Sequence, residues 1–281
     1  MLLAVINEST LIKDSDVQLM TEAIQIQFDI HLLPAWNQKA GTIKFYSDKT
    51  KVPGYAWTIS ILDNSTQAGA LGYHEENGDK VDGFIFAAPV LQNGGVIFYD
   101  PTNPQNVSVS SVLSHEAVEM IGNRYAALWS DGPGVIAGDG HTYNEYAFEL
   151  ADPVEGNSYV VNVGTTLVNL SNFVFPSWFN IQAKIPENMP FDYLGKLTKP
   201  FSMTPGGYLI VRQSGNVQQI FGDKVPDIQK AHIKSEWYRQ SINHIKQNTT
   251  CEVVSQPKNE EHNAPLLIPK RSLWSLLGFV K

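Results

Sequence analysis

The side chains best placed to do chemistry together stand in the stretch Ser114-His115-Glu116-Ala117-Val118-Glu119-Met120. On a helix His115 and Glu119 are four positions apart, so both leave the same face, one turn apart. An imidazole and a carboxylate placed that way can share one metal ion. Glu116 follows His115 and is rotated by about 100° around the helix axis. Its carboxylate would stand beside the ion, where a general base takes a proton from water.

A hydrolytic metal site needs a third protein ligand from elsewhere in the fold and an open position. The segment Glu149-Leu150-Ala151-Asp152-Pro153-Val154-Glu155 offers one. Glu149 and Asp152 lie among Phe148, Leu150 and Ala151, and a carboxylate in apolar surroundings needs a partner or a metal. Which of the two is the ligand stays open, with Glu155 behind them. Glu145 ranks lower; Asn144-Glu145 resembles the Asn-Glu pair of thermolysin-like proteases. His74, after a glycine-rich stretch, is a candidate catalytic group, as a substrate contact or proton donor. His141 is a weaker one. The competing reading is an amphipathic helix with a solvated Glu pair, followed by a surface acidic turn. No Gly-x-Ser-x-Gly and no phosphate-binding Gly-x-x-x-x-Gly-Lys is present.

His115-Glu116-x-x-Glu119 has the layout of the H-E-x-x-H zinc-protease motif with Glu in place of the second His. With Asn123, with Glu149, Leu150, Ala151, Asp152 and Glu155, and with the stretches Leu3–Thr10, Leu62–Ser65, Gly69–His74 and Pro205–Tyr208, the chain resembles a zincin-like HExxE metalloprotease group. That group includes bacterial and phage-associated proteins, and the plant phosphate-induced exordium-type proteins share its pattern. The resemblance covers roughly residues 1–220. It implies an α+β fold, a zincin-like mixed β-sheet packed with an active-site helix, and a metal-dependent hydrolase, a peptidase first of all. It implies that His115, Glu119 and one of Glu149 or Asp152 hold a divalent cation, zinc being expected. Asn123 and the unused carboxylate would orient the ligands. It also implies an edge strand just before the helix, placed at Phe84–Pro89, to which a peptide substrate adds as an extra strand, an ordinary sheet strand being the equal alternative. Glu119 and Asn123 depart from better-known zinc proteases, and the oxygen-rich set leaves another divalent ion open.

These groups need elements to position them. Ser110 and Ser111 offer caps ahead of Val112, Ala117, Val118 and Ile121, and Gly122-Asn123 is a stop signal, so a helix is expected from about Asn106 or Ser110 to Ile121. Strands are expected at 2–7, 42–46, 56–62, 69–73, 82–89, 96–99, 159–163, 166–170, 208–212 and 217–221, with 159–163 and 166–170 paired as a hairpin around Gly164. A helix from Asp14 or Ser15 to about Ile30, ended by Pro34, carries Val17, Met20, Ala23, Ile24, Gln27 and Ile30 at steps of three and four. A short helix capped by Asn144 is expected to carry Glu145 and Glu149 up to Pro153. Residues 124–141 read as a long loop between the halves of the site.

At 281 residues and 43% hydrophobic content the chain can bury one substantial core. The domain expected over 1–221 is followed by an amphipathic helix over 222–248 and by a linker and apolar tail over 249–281. Residues 270–281 would dock a partner or a second copy, or fold back on the domain. A net charge of −8 with no balancing basic face argues against nucleic acid as a partner. The single Cys251 excludes a disulfide framework and a cysteine zinc site. The opening apolar run meets Asn7-Glu8 without a basic segment, and no run is long enough to span a bilayer. A cytoplasmic protein, or one carried in a particle assembled there, is expected. A non-catalytic assembly component built on a zincin-like scaffold is the alternative function.

Overall fold

A computed structural model describes residues 1–38, 41–66, 70–123, 128–135, 143–183, 190–213 and 216–223. The opening apolar run forms β1 (Leu2–Asn7), with β2 (Thr42–Tyr46) and β3 (Trp57–Leu62) paired in parallel on either side. β5 (Lys80–Phe86) adds in parallel to β3, and β4 (Gly72–Asn77) lies antiparallel at the edge. The order is β2-β1-β3-β5-β4. The expected substrate wall at Phe84–Pro89 is therefore corrected. β5 is hydrogen-bonded on both sides and offers no free edge, and from Ala87 the chain turns into the short helix α3, which runs to Gln92. α1 (Asp14–Ile26) and α2 (Leu33–Ala35) precede it in the chain.

Val17, Met20, Ala23 and Ile24 of α1 are buried, as their spacing requires. The helix does not stop before Pro34. It widens into a π-helical turn, Gln27–Leu32, and continues as α2. Proline tolerates this position because the first turn of a new helical segment does not need its missing N–H. The expected strand at 96–99 reduces to one bridge between Val96 and Ser108.

α4 (Val109–Gly122) packs against β4 and β5 on one side and against α1 and β9 (Thr166–Ser171) on the other. Enclosed so, it is buried at every position from Val109 to Met120 but Ser111, and is not amphipathic. Its cap is Ser108, two residues earlier than Ser110. The Ser111 N–H donates to Ser108 Oγ (3.0 Å) and the Ser108 N–H to Ser111 Oγ (3.1 Å). The helix's buried hydroxyls are matched by outside partners: Ser110 Oγ donates to the Asn169 carbonyl (2.8 Å) and Ser114 Oγ to Gln27 Oε1 (2.8 Å).

The hairpin of β8 (Ser158–Val163) and β9 matches its expectation. A second, antiparallel sheet holds β6 (Trp129–Pro133), β7 (Tyr143–Ala147), β10 (Tyr208–Gln213) and β11 (Asn216–Phe221) in the order β11-β10-β7-β6. The helix expected from Asn144 is thus a strand. Tyr146, which packs on Trp178 and Phe201, and Arg212, which clamps Glu145, favour the extended form. One buried apolar cluster reaches from Leu3 to Val211. At the carboxyl ends of β1 and β3, Asp63 accepts from Ser9 Oγ, from Thr10 Oγ1 (2.6 Å) and from the Thr10 N–H (2.9 Å). The stretches around Ser9 and Asp63 form this loop lock. Of the expected C-terminal parts, only Gly222 and Asp223 are described; the rest of the helix, the linker and the apolar tail lie outside the described residues, as do His141 and Cys251. Among the described residues no helix is long and apolar enough to cross a membrane.

Candidate metal centre

Three elements build the site: the middle of α4, the turn after β7, and edge strand β4. α4 supplies His115, Glu116 and Glu119. After β7 the chain turns through Glu149 and Leu150 into a short 3-10 turn, Asp152–Val154. That turn is held from behind. The Thr204 N–H donates to the Pro153 carbonyl (2.9 Å), and Gly207 lies so close that a Cβ there would stand 2.3 Å from the same oxygen. Gly207 is therefore needed for a close backbone approach, which also brings Tyr208 to the site. β4 supplies His74, facing α4.

His115 Nε2 lies 3.3 Å from Glu119 Oε2 and 3.3 Å from Asp152 Oδ1. Ligand atoms on a tetrahedral cation with bonds of about 2.0–2.1 Å stand about 3.3 Å apart, so the spacing fits a divalent ion. These three residues form one group able to hold a metal ion; His74, Glu116 and Glu119 form another. His74 Nδ1 hydrogen-bonds Glu116 Oε2 at 3.0 Å and lies 4.0 Å from Glu119 Oε2. Its Nε2 is 3.9 Å from Glu149 Oε2. The Asn123 amide donates to Glu149 Oε1 (3.2 Å), and the Ala151 N–H to Glu119 Oε1 (3.3 Å).

Two imidazoles and five carboxylates thus converge, none more than 9% exposed. Burial alone would lower the His115 pKa, but Glu119, Asp152 and Glu155 carry it well above its ordinary value. Burial pushes the Glu119 carboxyl well up; Asp152 and Glu149 add to that, and His115 offsets part. Glu155 rises to about 8, through burial first and then the neighbouring Asp152 and Glu116. The Tyr208 phenol, buried with its hydroxyl toward Asp152, is also raised. Such a concentration of buried acid is costly without cations.

His115 and Glu155 also line a small recess of about 50 Å³ together with Leu71, Val107, Val112 and Asn157. Of the residues expected at the site, His115, Glu116, Glu119, Glu149, Asp152 and His74 come together. His74 is fully buried behind Glu116, which places it against that carboxylate and not at the surface as a substrate contact. Glu145 is excluded: Arg212 holds it through two bonds of 2.8 and 3.0 Å, with Trp129 over the guanidinium. Tyr208 and Gln27 were not among the expected site residues. The stretch ending in Gly207-Tyr208 marked the first without indicating a role; Gln27, a polar residue on the buried face of its helix, carried only its position as a signal. Comparison with protein families, with curated proteins and with solved structures finds no match.

Proposed function

We propose that the chain is a metal-dependent hydrolase, a peptidase first of all, with a divalent cation held by His115, Glu119 and Asp152. The observation that carries this is the pair of 3.3 Å separations around His115 Nε2. The resemblance of the His115–Glu119 stretch to the zincin-like group supports zinc, and the two carboxylates admit a harder ion. A bound cation of this kind supplies Lewis acidity, making coordinated water acidic and offsetting charge that develops on a carbonyl oxygen. Glu116 accepts the proton. His74, hydrogen-bonded at Glu116 Oε2, holds that carboxylate in place, and Gly72 leaves room at Oε1, where a Cβ would come within 3.1 Å. Asn123 and Ala151 orient Glu149 and Glu119 from outside. The recess at His115 and Glu155 is the approach for substrate.

The test is metal content of the purified, chelator-treated and reloaded protein beside His115→Ala. One or more equivalents in the wild type, with the ion at His115 lost in the variant, and peptide hydrolysis abolished by Glu116→Gln would support the proposal. Full activity in Glu116→Gln would overturn the base role. A second reading is favoured by burial, since His115 is only 4% exposed. In it the ion is structural, on a non-catalytic scaffold serving an assembled particle. Metal that raises the melting temperature while no peptide is cleaved would select it.

A further inference from the structure

We propose that the cluster holds two divalent cations, the second at His74, Glu116 and Glu119, with the Glu119 carboxylate common to both. This rests on the reading of His115, Glu119 and Asp152 as the first cation site. His74 Nδ1 stands 3.0 Å from Glu116 Oε2 and 4.0 Å from Glu119 Oε2. These values bracket the separation of about 3.3 Å between ligands of a tetrahedral ion. All three side chains are at least 99% buried.

A second observation is independent of that spacing. Glu119 Oε2 is buried without a hydrogen-bond partner and is aimed between the imidazoles, 3.3 Å from His115 Nε2 and 4.0 Å from His74 Nδ1. A carboxylate oxygen held between two imidazoles suits a bridge between two cations. Charge points the same way. Glu116, Glu119, Glu149, Asp152 and Glu155 carry five negative charges when ionised, and one divalent cation leaves three of them uncompensated in a buried site. Two leave one, which matters because unpaired buried charge is strongly destabilising.

The surroundings of His74 fit a metal ligand. With Nδ1 on a cation, Nε2–H faces Glu149 Oε2 at 3.9 Å, and Glu149 is itself held by Asn123. A carboxylate behind the second ring nitrogen is the usual support of a metal-bound imidazole. Glu149 becomes that support instead of a direct ligand. Glu116 binds through Oε2 and keeps Oε1, the oxygen beside Gly72, for proton transfer. One nitrogen and two oxygens suit Mn²⁺ or Zn²⁺. Two cations sharing a carboxylate would lie about 3.5–4 Å apart, the spacing of two-cation hydrolases.

The experiment uses the full chain, stripped by chelator and titrated with Mn²⁺. Bound ion is counted by elemental analysis, and the spin state is followed by electron paramagnetic resonance. The expected result is two equivalents and an exchange-coupled spectrum in the wild type, falling to one uncoupled equivalent in His74→Gln. One uncoupled equivalent in the wild type, lost in His115→Ala and unchanged in His74→Gln, overturns the second cation and leaves the proposed function standing. Two uncoupled equivalents unchanged in His74→Gln overturn the shared placement. No binding at all overturns both. The wild-type spectrum needs no substitution, so a misfolded variant cannot decide the outcome.

Discussion

Glu116 and His115 differ by one position in the chain and by a whole role. His115 reaches Glu119 and Asp152, whereas Glu116 reaches His74. Glu116→Gln removes the proposed proton acceptor but keeps the shape of the side chain. Turnover is expected to fall by about 10²–10⁴-fold, the usual contribution of a general base, while the ion at His115 remains; steady-state kinetics beside metal analysis checks both. Gly207→Ala acts through space and not chemistry. Its Cβ would meet the Pro153 carbonyl oxygen at 2.3 Å, so the Asp152 turn must shift. A loss of roughly 1–3 kcal/mol is expected, as for other overpacked sites, with weaker metal binding. Denaturant unfolding and a metal titration measure the two effects.

At the scale of elements, α4 owes its position to being enclosed. Its buried serines are matched by Gln27 from the π-turn, by Asn169, and by the Ser171 N–H, which donates to Ser114 Oγ at 3.0 Å. Its first turn is secured by Ser108. Ser108→Ala is expected to cost about 1 kcal/mol, the common value for a lost N-cap, and to speed amide exchange in the first turn of α4; hydrogen-exchange mass spectrometry would detect it. Strand β4 stands last in the order of its sheet and carries His74 on the face toward α4. The site is therefore assembled between a strand, a helix and a turn.

For the whole molecule, the site sets the pH dependence of the cation-free protein. Glu119 and Glu155 have raised pKa values, Glu155 moving from 4.5 to about 8, and His115 is raised above 6.5. A group raised in the folded state stabilises below its unfolded pKa and loses that contribution as pH rises through the folded value. The cation-free protein should therefore lose stability between about pH 4.5 and 8. Asp63 works in the opposite direction. The hydroxyls of Ser9 and Thr10 hold it at about 2, so its contribution is present above 3.8 and lost as pH falls toward 2. Melting temperatures across this range should peak in mild acid without cation. With cation at about 100 times its Kd, about 2.7 kcal/mol should be regained by mass action, chiefly at the alkaline end. A flat profile without cation would contradict this.

Parts whose causes are local were legible from residue order alone. The spacing of His115, Glu116 and Glu119 was readable because helical periodicity places i and i+4 on one face. The turn at Gly164 and the apolar runs of β1 and β10 were readable for similar reasons. The mixed α+β class, which the resemblance implied, agrees with the order of such elements. Tertiary structure decided what depends on neighbours distant in the chain. Pro34 sits within a helical run because a π-turn precedes it, and Asn144–Ala147 is extended because Arg212 and the aromatic cluster hold it so. β4, not the run at Phe84–Pro89, became the edge because strand order is set by pairing in space. The same holds at the site. Sequence left Glu149 and Asp152 as equals, three positions apart. Packing turned Asp152 toward His115 and left Glu149 with Asn123 and His74, because a turn held by Thr204 and Gly207 fixes which carboxylate faces which imidazole.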